Sequence, residues 1–264
     1  MIFELKNTSK AACLFAGWQE TMIFSCLQGI MGRVYADSLQ APTGAMAVLG
    51  DFCFLAGEPK EELLSFLAEK KTDLPKGGES ECACKILVPQ NQGWADLTEA
   101  YFREKANRVT RYAMKKEPDV FCRGRLQAAV NGLPEGYMLR MIDEALFYSC
   151  RESAWCRDFV AQYEHYAAYQ KYGLGVIVLK EGEIVCGASS YSGYLGGIEI
   201  EIDTRLDQRR RGLAFAAGAR LILECLNRGW YPSWDAQNLW SVSLAQKLGY
   251  HLDYEYTAYE ILGI

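Results

Sequence analysis

The sequence predicts an α+β protein, with strands and helices in the C-terminal half preceded by a smaller α/β N-terminal domain. Half of the 264 residues are hydrophobic and 23% are charged, so the chain can bury a large core. Strand-like and helix-like patterns are interleaved along both halves. A helix-then-strand layout also recurs in "GWADLTEAYFREKANRVTRYAM" and "NLWSVSLAQKLGYHLDYEYTAYEI", which suggests two tandem domains.

The N-terminal domain is predicted to span residues 1–125 and to be a degenerate copy of the second. Its second helix has a proline near the start and acidic residues in the first turn, which is typical of a helix N-terminus. The polar segment "TDLPKGGESE" breaks the chain after that helix. The predicted elements are helix "SKAACLFAGWQETMIFSCLQGI", strands "GRVYADS" and "GAMAVLGDFCFLAG" joined by "LQAPT", helix "EPKEELLSFLAEKK", strand "KILVP", helix "WADLTEAYFREKA" and strand "RVTRYAMKK".

The C-terminal domain is predicted to span residues 135–264, after a helical piece and a Gly/Pro break in "CRGRLQAAVNGLPEG". Three strands in "LGVIVLKEGEIVCGASSYSGYLGGIEIEID" are joined by the hairpin turns "KEGE" and "SGYLGG". The other predicted elements are strand "GYMLRMID", the helix or helix pair "RESAWCRDFVAQYEHYAAYQKYG", a helix over 213–228, strand "YPSWDA", a helix from Leu239 to Leu248 and strand "HLDYEYTAYEIL".

The charge balance and the N-terminus exclude several partners. The net charge is −5, so no basic field is expected to attract nucleic acid or an anionic membrane, and an anion would have to be held locally. The N-terminus "MIFELKNTSK" has no apolar leader, and no apolar run reaches the length of a membrane span. We therefore expect a cytoplasmic protein without nucleic-acid or membrane partners.

The cysteines and histidines do not predict a metal site. Most of the ten cysteines lie in apolar segments, where a reduced thiol acts as a small hydrophobic group. The one close pair, Cys82 and Cys84, has no second pair at zinc-finger spacing. His165 and His251 lack the context of a ligand or a catalytic base, so both are predicted to be structural.

Three arginines precede a glycine and an amphipathic helix in "LDQRRRGLAFAAGARLILECLNRGW". The strand "GGIEIEIDT" leads into this turn, and a helix N-terminus that follows such a turn presents free backbone N–H groups to an anion. Gly212 lets the chain bend and lets a phosphate approach, while Ala214 keeps the first helical turn small. The alternative is that the arginines form a solvated surface.

This stretch resembles the coenzyme A pyrophosphate loop of the GCN5-related N-acetyltransferases (GNAT), whose pattern is Gln/Arg-x-x-Gly-x-Gly/Ala. A second family element, an Asn that opens a helix ending in Leu-Gly-Phe/Tyr, appears as "NLWSVSLAQKLGY". The resemblance covers residues 135–264 and includes a narrower similarity to the zwittermicin-resistance group of acetyltransferases. It implies a mixed, mostly antiparallel sheet flanked by helices in the C-terminal half, in which the strands holding Ile202 and Trp234 splay apart to admit pantetheine. The implied cofactor-binding residues are Ile202, Arg209, Arg210, Arg211, Gly212, Leu213, Ala214, Asn238 and Ser241.

The resemblance also implies catalytic roles. The backbone N–H of Ile202 would polarise the thioester carbonyl. Glu199 or Glu201 would deprotonate the amine, and Glu199 is nearer the family position. The alternative for both glutamates is that they form an exposed acidic strand face. The family's usual tyrosine acid is replaced by Ala245. Tyr250 and Ser241 match structural positions, so the acid is left unassigned.

The expected function is therefore acetyl-coenzyme A-dependent N-acetylation of a primary amine, with a small-molecule acceptor and no metal. Two alternatives stay open: a sensor that binds acyl-coenzyme A without turning it over, and a protein amine as acceptor. Asp235 would bind the acceptor cation or cap a turn. Spacings of three and four put most aromatic side chains between Trp155 and Tyr172 on one helical face, where they would form core or line the acceptor pocket. The oligomeric state is open, a homodimer included.

Overall fold

The computed structural model describes residues 1–69 and 84–263 and divides the chain into two compact units. The first unit comprises Met1–Arg111 and Tyr256–Ile264, and the second comprises Tyr112–Glu255. These are packing units, and the sequence-based domain limits stay a prediction.

The first unit is built on a sheet in the order β1-β2-β3-β4-β5-β13, antiparallel except where β4 runs parallel to β5. Its core packs Leu63, Leu64 and Trp94 from two helices against this sheet. The elements are β1 (Phe3–Glu4), α1 (Thr21–Leu27), β2 (Arg33–Ala36), β3 (Gly44–Leu49), β4 (Phe52–Gly57), α2 (Glu61–Glu69), β5 (Cys84–Pro89), α3 (Gln92–Phe102), β6 (Ala106–Met114) and the end of β13 (Leu252–Leu262).

The second unit contains a five-stranded sheet in the order β11-β10-β9-β8-β7. Neighbouring strands are antiparallel except β10 and β11, which run parallel. The elements are α4 (Arg123–Asn131), β7 (Tyr137–Met141), α5 (Glu144–Glu152), α6 (Tyr166–Tyr172), β8 (Gly175–Lys180), β9 (Glu183–Tyr194), β10 (Gly197–Thr204), α7 (Leu213–Asn227), β11 (Tyr231–Ser233), β12 (Asp235–Ala236) and α8 (Leu239–Leu248).

The helix α7 organises the core of the second unit. Its buried face, which includes Ala217, Leu221 and Ile222, belongs to one cluster with Ile198 and Ile200 of β10. Alternate residues of a strand point to opposite faces. The isoleucines therefore face α7, and Glu199, Glu201 and Asp203 share the other face, as the period-two pattern predicts.

The two units repeat the same order of elements. In the first, β3-β4-α2-β5-α3 combines an antiparallel pair, a helix, a parallel strand and a second helix, and β9-β10-α7-β11-α8 does the same in the second. Asn91 caps α3 and Asn238 caps α8 in the same way. The arrangement agrees with the tandem halves expected from the sequence.

Four element predictions are wrong in detail. The N-terminal helix is limited to α1, after two short 3₁₀ turns, and "GAMAVLGDFCFLAG" is two strands that turn at Gly50, whose φ is +57°. "YPSWDA" is likewise divided between β11 and β12. The aromatic stretch is not one helix: it consists of a 3₁₀ turn at Arg157–Phe159 and α6, so its aromatic residues do not share one helical face.

Candidate functional site

An opening between β10 and β11 lies at the centre of the second unit. The two strands are paired from Gly197↔Tyr231 to Glu199↔Ser233, and the pairing ends there. The chain turns at Trp234, and β12 pairs instead with the last residues of β6, which belong to the same unit, through Asp235↔Ala113. One edge of β10 beyond Glu199 thus has no strand beside it in the described part of the chain, which is the splay that the family resemblance implies between the strands of Ile202 and Trp234.

Ile202 directs its backbone N–H to this open edge. The N–H of Arg205 donates to Val185 O, 3.0 Å away, on the β9 side of β10. Backbone groups alternate in direction along a strand, so Ile202, three residues earlier, presents its N–H to the opposite side. A carbonyl oxygen in the opening could accept a hydrogen bond there.

The loop between β10 and α7 ends in free backbone donors. Arg210 and Gly212 both have left-handed backbone conformations, with φ of 62° and 77°. The first helical bond in this region is donated by Ala216 to Gly212 O, at 3.1 Å, and Gly212 supplies no side-chain cap. No acceptor among the described residues takes the backbone N–H groups of Arg210, Arg211, Gly212, Leu213, Ala214 or Phe215.

These donors stand at the positive end of a 15-residue helix dipole. Each free N–H requires water or a ligand, and an anion satisfies several at once. A Cβ added at Gly212 would meet no atom within 4 Å, so the space above the loop is open. Leu213 contributes only its backbone, because its side chain is buried in the core.

The arginines differ in their availability. Arg209 is tied back to β10, where its Nε donates to Thr204 O at 3.1 Å and its guanidinium lies 3.3 Å from Asp203. Arg205 pairs with Glu183 and Asp207, and the hydrogen bond from Arg205 lowers the pKa of Asp207 to about 2. Arg210 and Arg211 are exposed and form no ion pair within the described ranges. The charge near the free N–H groups therefore comes mainly from these two.

Asn238 and Ser241 lie at the start of α8. The side chain of Asn238 caps the helix by accepting from Ser241 N at 3.0 Å. The Ser241 hydroxyl accepts from the indole N–H of Trp234, also at 3.0 Å. Asp235 is part of β12, so Asn238, rather than Asp235, is the cap of this helix.

Glu199 is buried, and its neighbours were not identified from the sequence. It is 5% exposed, which contradicts an exposed strand face at this position, whereas Glu201 is half-buried. It pairs with Ser192 of β9 and Ser233 of β11. The hydroxyls of Tyr194 and Ser233 are hydrogen bonded at 3.2 Å. The only sequence signal was the polar run "SSYSGY" inside a buried strand.

Ala245, which stands at the position of the family's usual tyrosine acid, is fully buried and has no group that could protonate the leaving thiolate. Tyr250 is unsuited to that role, because its hydroxyl donates to Pro232 O at 2.6 Å. Burial also raises the pKa of Tyr250 well above its ordinary value. Burial raises the pKa of Tyr194 to about 12, opposed by Ser233 and reinforced by the charge of Glu199, so this hydroxyl stays protonated at neutral pH.

The other predicted positions have structural contacts. His165 Nδ1 accepts from Ala168 N and caps α6, while His251 lies 2.7 Å from Glu117. No group of three or more His, Cys, Asp or Glu residues able to hold a metal ion occurs in residues 1–69 and 84–263. Cys82 lies outside these ranges, as does the segment "TDLPKGGESE".

The aromatic side chains of the same region are divided between core and surface. Phe159, Tyr163 and Tyr169 are fully buried, and Tyr163 and Tyr169 donate or share hydrogen bonds with Ser190 and Ser189. This agrees with a core role for those three. No helix in the described ranges is long and apolar enough to cross a membrane.

The first unit does not repeat the opening. The parallel pair β4 and β5 stays together from Phe52↔Ile86 to Leu55↔Pro89, and Gln90 N then donates to Leu55 O. Asn91 and Trp94 bind Gly57 O through their side chains, which holds this end of β4 in place. The helix α2 begins with two glutamates, which oppose anion binding at its N-terminus.

Comparisons with known proteins agree with this geometry. A family model described as GNAT acetyltransferase matches residues 12–259. The crystal structure of a GCN5-related N-acetyltransferase-like protein from Streptococcus suis is 45% identical, covers 97% of this chain and 98% of that one, and has a TM-score of 0.89. A Bacillus subtilis protein named "Uncharacterized N-acetyltransferase YdfB" is 28% identical over 90% of this chain and 89% of its own.

A more distant structure shares the fold alone. It is a tandem GNAT protein from the clavulanic acid biosynthesis pathway, 10% identical, with a TM-score of 0.54 over 99% of this chain and 98% of that one. The narrower similarity to the zwittermicin-resistance group stays a prediction.

Proposed function

The chain belongs to the GNAT acetyltransferase family and is an N-acetyltransferase, and from this premise we propose that it transfers the acetyl group of acetyl-coenzyme A to a primary amine of a small molecule. The observation that carries the proposal is the opening between β10 and β11 beside the free N–H groups of 210–215. A coenzyme with a pyrophosphate and an extended amide-containing arm matches both features. When bound, acetyl-coenzyme A supplies the acetyl group as a thioester.

The loop residues would hold the coenzyme. The free backbone N–H groups at the start of α7 would bind the pyrophosphate, and Arg210 and Arg211 would add positive charge nearby. Ser241 and Asn238 would contribute mainly by shaping the start of α8, since their side chains cap it and bind Trp234. The open edge of β10 would pair with amides of the pantetheine arm.

Two groups of β10 would carry the chemistry. The Ile202 N–H would donate to the thioester carbonyl oxygen and stabilise the negative charge that develops there. Glu199 would accept the proton of the acceptor amine, directly or through water, because it lies on the same strand at the start of the opening. Glu201 lies on the same face and is the second candidate base. The source of the proton for the leaving thiolate stays unassigned.

The alternative of a sensor that binds acyl-coenzyme A without transfer rests on Ala245, which stands where the family's usual acid would be. One experiment separates it from the enzyme. Purified protein is incubated with acetyl-coenzyme A and a panel of amines, including small aliphatic, sugar and cyclic amines and a lysine peptide, and free thiol is measured. Amine-dependent thiol release supports transfer and identifies the acceptor class. Tight binding without release to any amine would favour the sensor.

A further inference from the structure

A buried polar row crosses three adjacent strands where β10 and β11 separate. Ser192 of β9, Glu199 of β10 and Ser233 of β11 are directly paired, and their exposures are 0%, 5% and 1%. Residues paired across neighbouring strands place their side chains on the same face, about 5 Å apart. Glu199 therefore lies between two serines on the face opposite α7, next to the point where the β9–β10 register shifts.

The two hydroxyls are in different situations. Ser233 is hydrogen bonded to the hydroxyl of Tyr194, whose ring also covers Gly197, where an added Cβ would lie 2.5 Å from the Tyr194 oxygen. Ser192 Oγ is inaccessible to solvent and has no hydrogen-bond partner within residues 1–69 and 84–263. A buried hydroxyl without a partner costs free energy in the folded state, so it calls for an explanation.

We propose that Ser192 is a positioning residue for Glu199, and that its hydroxyl turns to donate a hydrogen bond to the Glu199 carboxylate when that group is ionised. A serine side chain has three staggered χ1 positions, so the change requires one rotation. Ser233, oriented by Tyr194, restricts the carboxylate from the other side. Ser192 thereby favours the ionised form that a proton acceptor needs. This inference rests on the proposed role of Glu199 in acetyl transfer.

The tyrosines and acidic groups around Glu199 supply no positive charge, so a hydrogen bond from Ser192 should have a clear effect on the ionisation of Glu199. Tyr194 of β9, Tyr231 of β11 and Tyr250 after α8 have pKa values raised by burial, so they are neutral at physiological pH. Glu201 and Asp203 share the face of β10 with Glu199, and their negative charges oppose its ionisation. A donor beside Glu199 offsets that repulsion.

The test measures the titration of Glu199 directly, without an acceptor. Protein labelled with ¹³C at the side-chain carboxyl of glutamate is titrated by NMR, and the Glu199→Gln variant identifies the resonance. In Ser192→Ala, the midpoint should rise by about one pH unit, because a hydrogen bond to a charged group is comparable to a tenfold change in protonation. Ser192→Thr, which keeps the hydroxyl, should restore the midpoint.

Ser190→Ala is the matched control. Ser190 is buried in the same strand, but its hydroxyl accepts from Tyr163 at 2.9 Å and from Leu174 N at 3.1 Å. Its loss should lower thermal stability and leave the Glu199 midpoint unchanged. Ser192→Ala should shift the midpoint, and it should lose stability relative to wild type only at pH values where Glu199 is ionised.

The outcomes are distinguishable. A midpoint unchanged in Ser192→Ala would overturn this inference, whether or not Glu199 acts in transfer. A midpoint raised equally in Ser190→Ala would also overturn it, since the effect would then reflect general loosening of the strand. The role of Glu199 in the reaction is tested separately, by the acetylation rate of Glu199→Gln, so failure of the proposed function leaves the NMR result interpretable.

Discussion

A negative charge at Gly212 should weaken coenzyme A binding while leaving the fold intact. The glycine has φ of +77°, and a Cβ there would point into open space. Gly212→Asp therefore introduces no clash, and its backbone cost is about 1 kcal/mol, since aspartate tolerates the left-handed region better than most residues. The added carboxylate would stand beside the free N–H groups at the start of α7.

The expected loss follows from the charge. A carboxylate about 5 Å from a phosphate costs about 3 kcal/mol at an effective dielectric constant of 20, which corresponds to roughly a 10²-fold weaker Kd. Isothermal titration calorimetry with coenzyme A measures the loss, and thermal unfolding checks the fold. The difference should narrow at high salt, since the site lies on the surface.

Two variants isolate the charge from the backbone. Gly212→Asn has nearly the same shape as the aspartate without its charge, so its Kd measures the loss caused by side-chain bulk, and the further loss in Gly212→Asp measures the charge. Gly229→Asp places the same side chain at another open, left-handed glycine, with φ of +68°, just beyond the C-terminal end of α7. It should lower stability without affecting the Kd. A folded Gly212→Asp variant with wild-type affinity would refute the phosphate-loop interpretation.

Three further predictions concern Glu199, Tyr250 and Asp158. Replacing Glu199 with Gln should lower the acetylation rate by roughly 10²- to 10⁴-fold with little change in coenzyme affinity, and the residual rate should rise between about pH 6 and 9.5 as solvent deprotonates the amine. If Glu201→Gln shows this profile instead, Glu201 is the base. Wild-type profiles in both variants would exclude both glutamates as the base. Tyr250→Phe should lower the free energy of unfolding by about 1–3 kcal/mol, because Pro232 O loses its 2.6 Å donor, while the pH profile of transfer is kept; an altered alkaline limb would instead identify Tyr250 as an acid. Burial raises the pKa of Asp158, with Asp203 adding and Arg157 opposing, so ionisation of this group opposes folding. The stability that the protonated form contributes is complete below the ordinary pKa of aspartate and is lost as the pH rises through the raised value. Asp158→Asn should therefore melt at a higher temperature than wild type at pH 7 but not at pH 3. An equal difference in melting temperature at both pH values would contradict this reasoning.

Features that depend on near neighbours in the chain were predicted well. The period-two pattern of β10 identified its two faces, and the turn at Gly212 followed by an amphipathic segment identified α7. Asn238 was identified as the residue that opens α8, and it caps that helix. Alternation, left-handed glycines and helix caps each involve residues a few positions apart, so the sequence contains the whole interaction.

Local patterns failed where aromatic residues suggested a continuous helix. Spacings of three and four between Trp155 and Tyr172 predicted one face, but the chain breaks into a 3₁₀ turn and a seven-residue helix. His165 starts that helix by capping it, and Arg151 binds the carbonyl groups of Tyr163 and Glu164 just before it. Phe159, Tyr163 and Tyr169 are buried against β9, and the rings of Tyr163 and Tyr169 contact each other, which helical periodicity does not describe.

By itself, the sequence determined the turn at Gly212 that we propose as the anion site, the strand that precedes it and the family resemblance that joins them. Only the tertiary structure decided that β11 leaves β10 after Ser233, that Glu199 is buried, and that Ser192 and Ser233 flank it. No local pattern joins Ser192, Glu199 and Ser233, which lie on three different strands. They become neighbours through the register of the sheet, and register is set by pairing between separate strands. A residue's environment in a sheet therefore depends on which strand lies beside it. The packing of the whole unit determines this, and the neighbouring residues in the sequence do not.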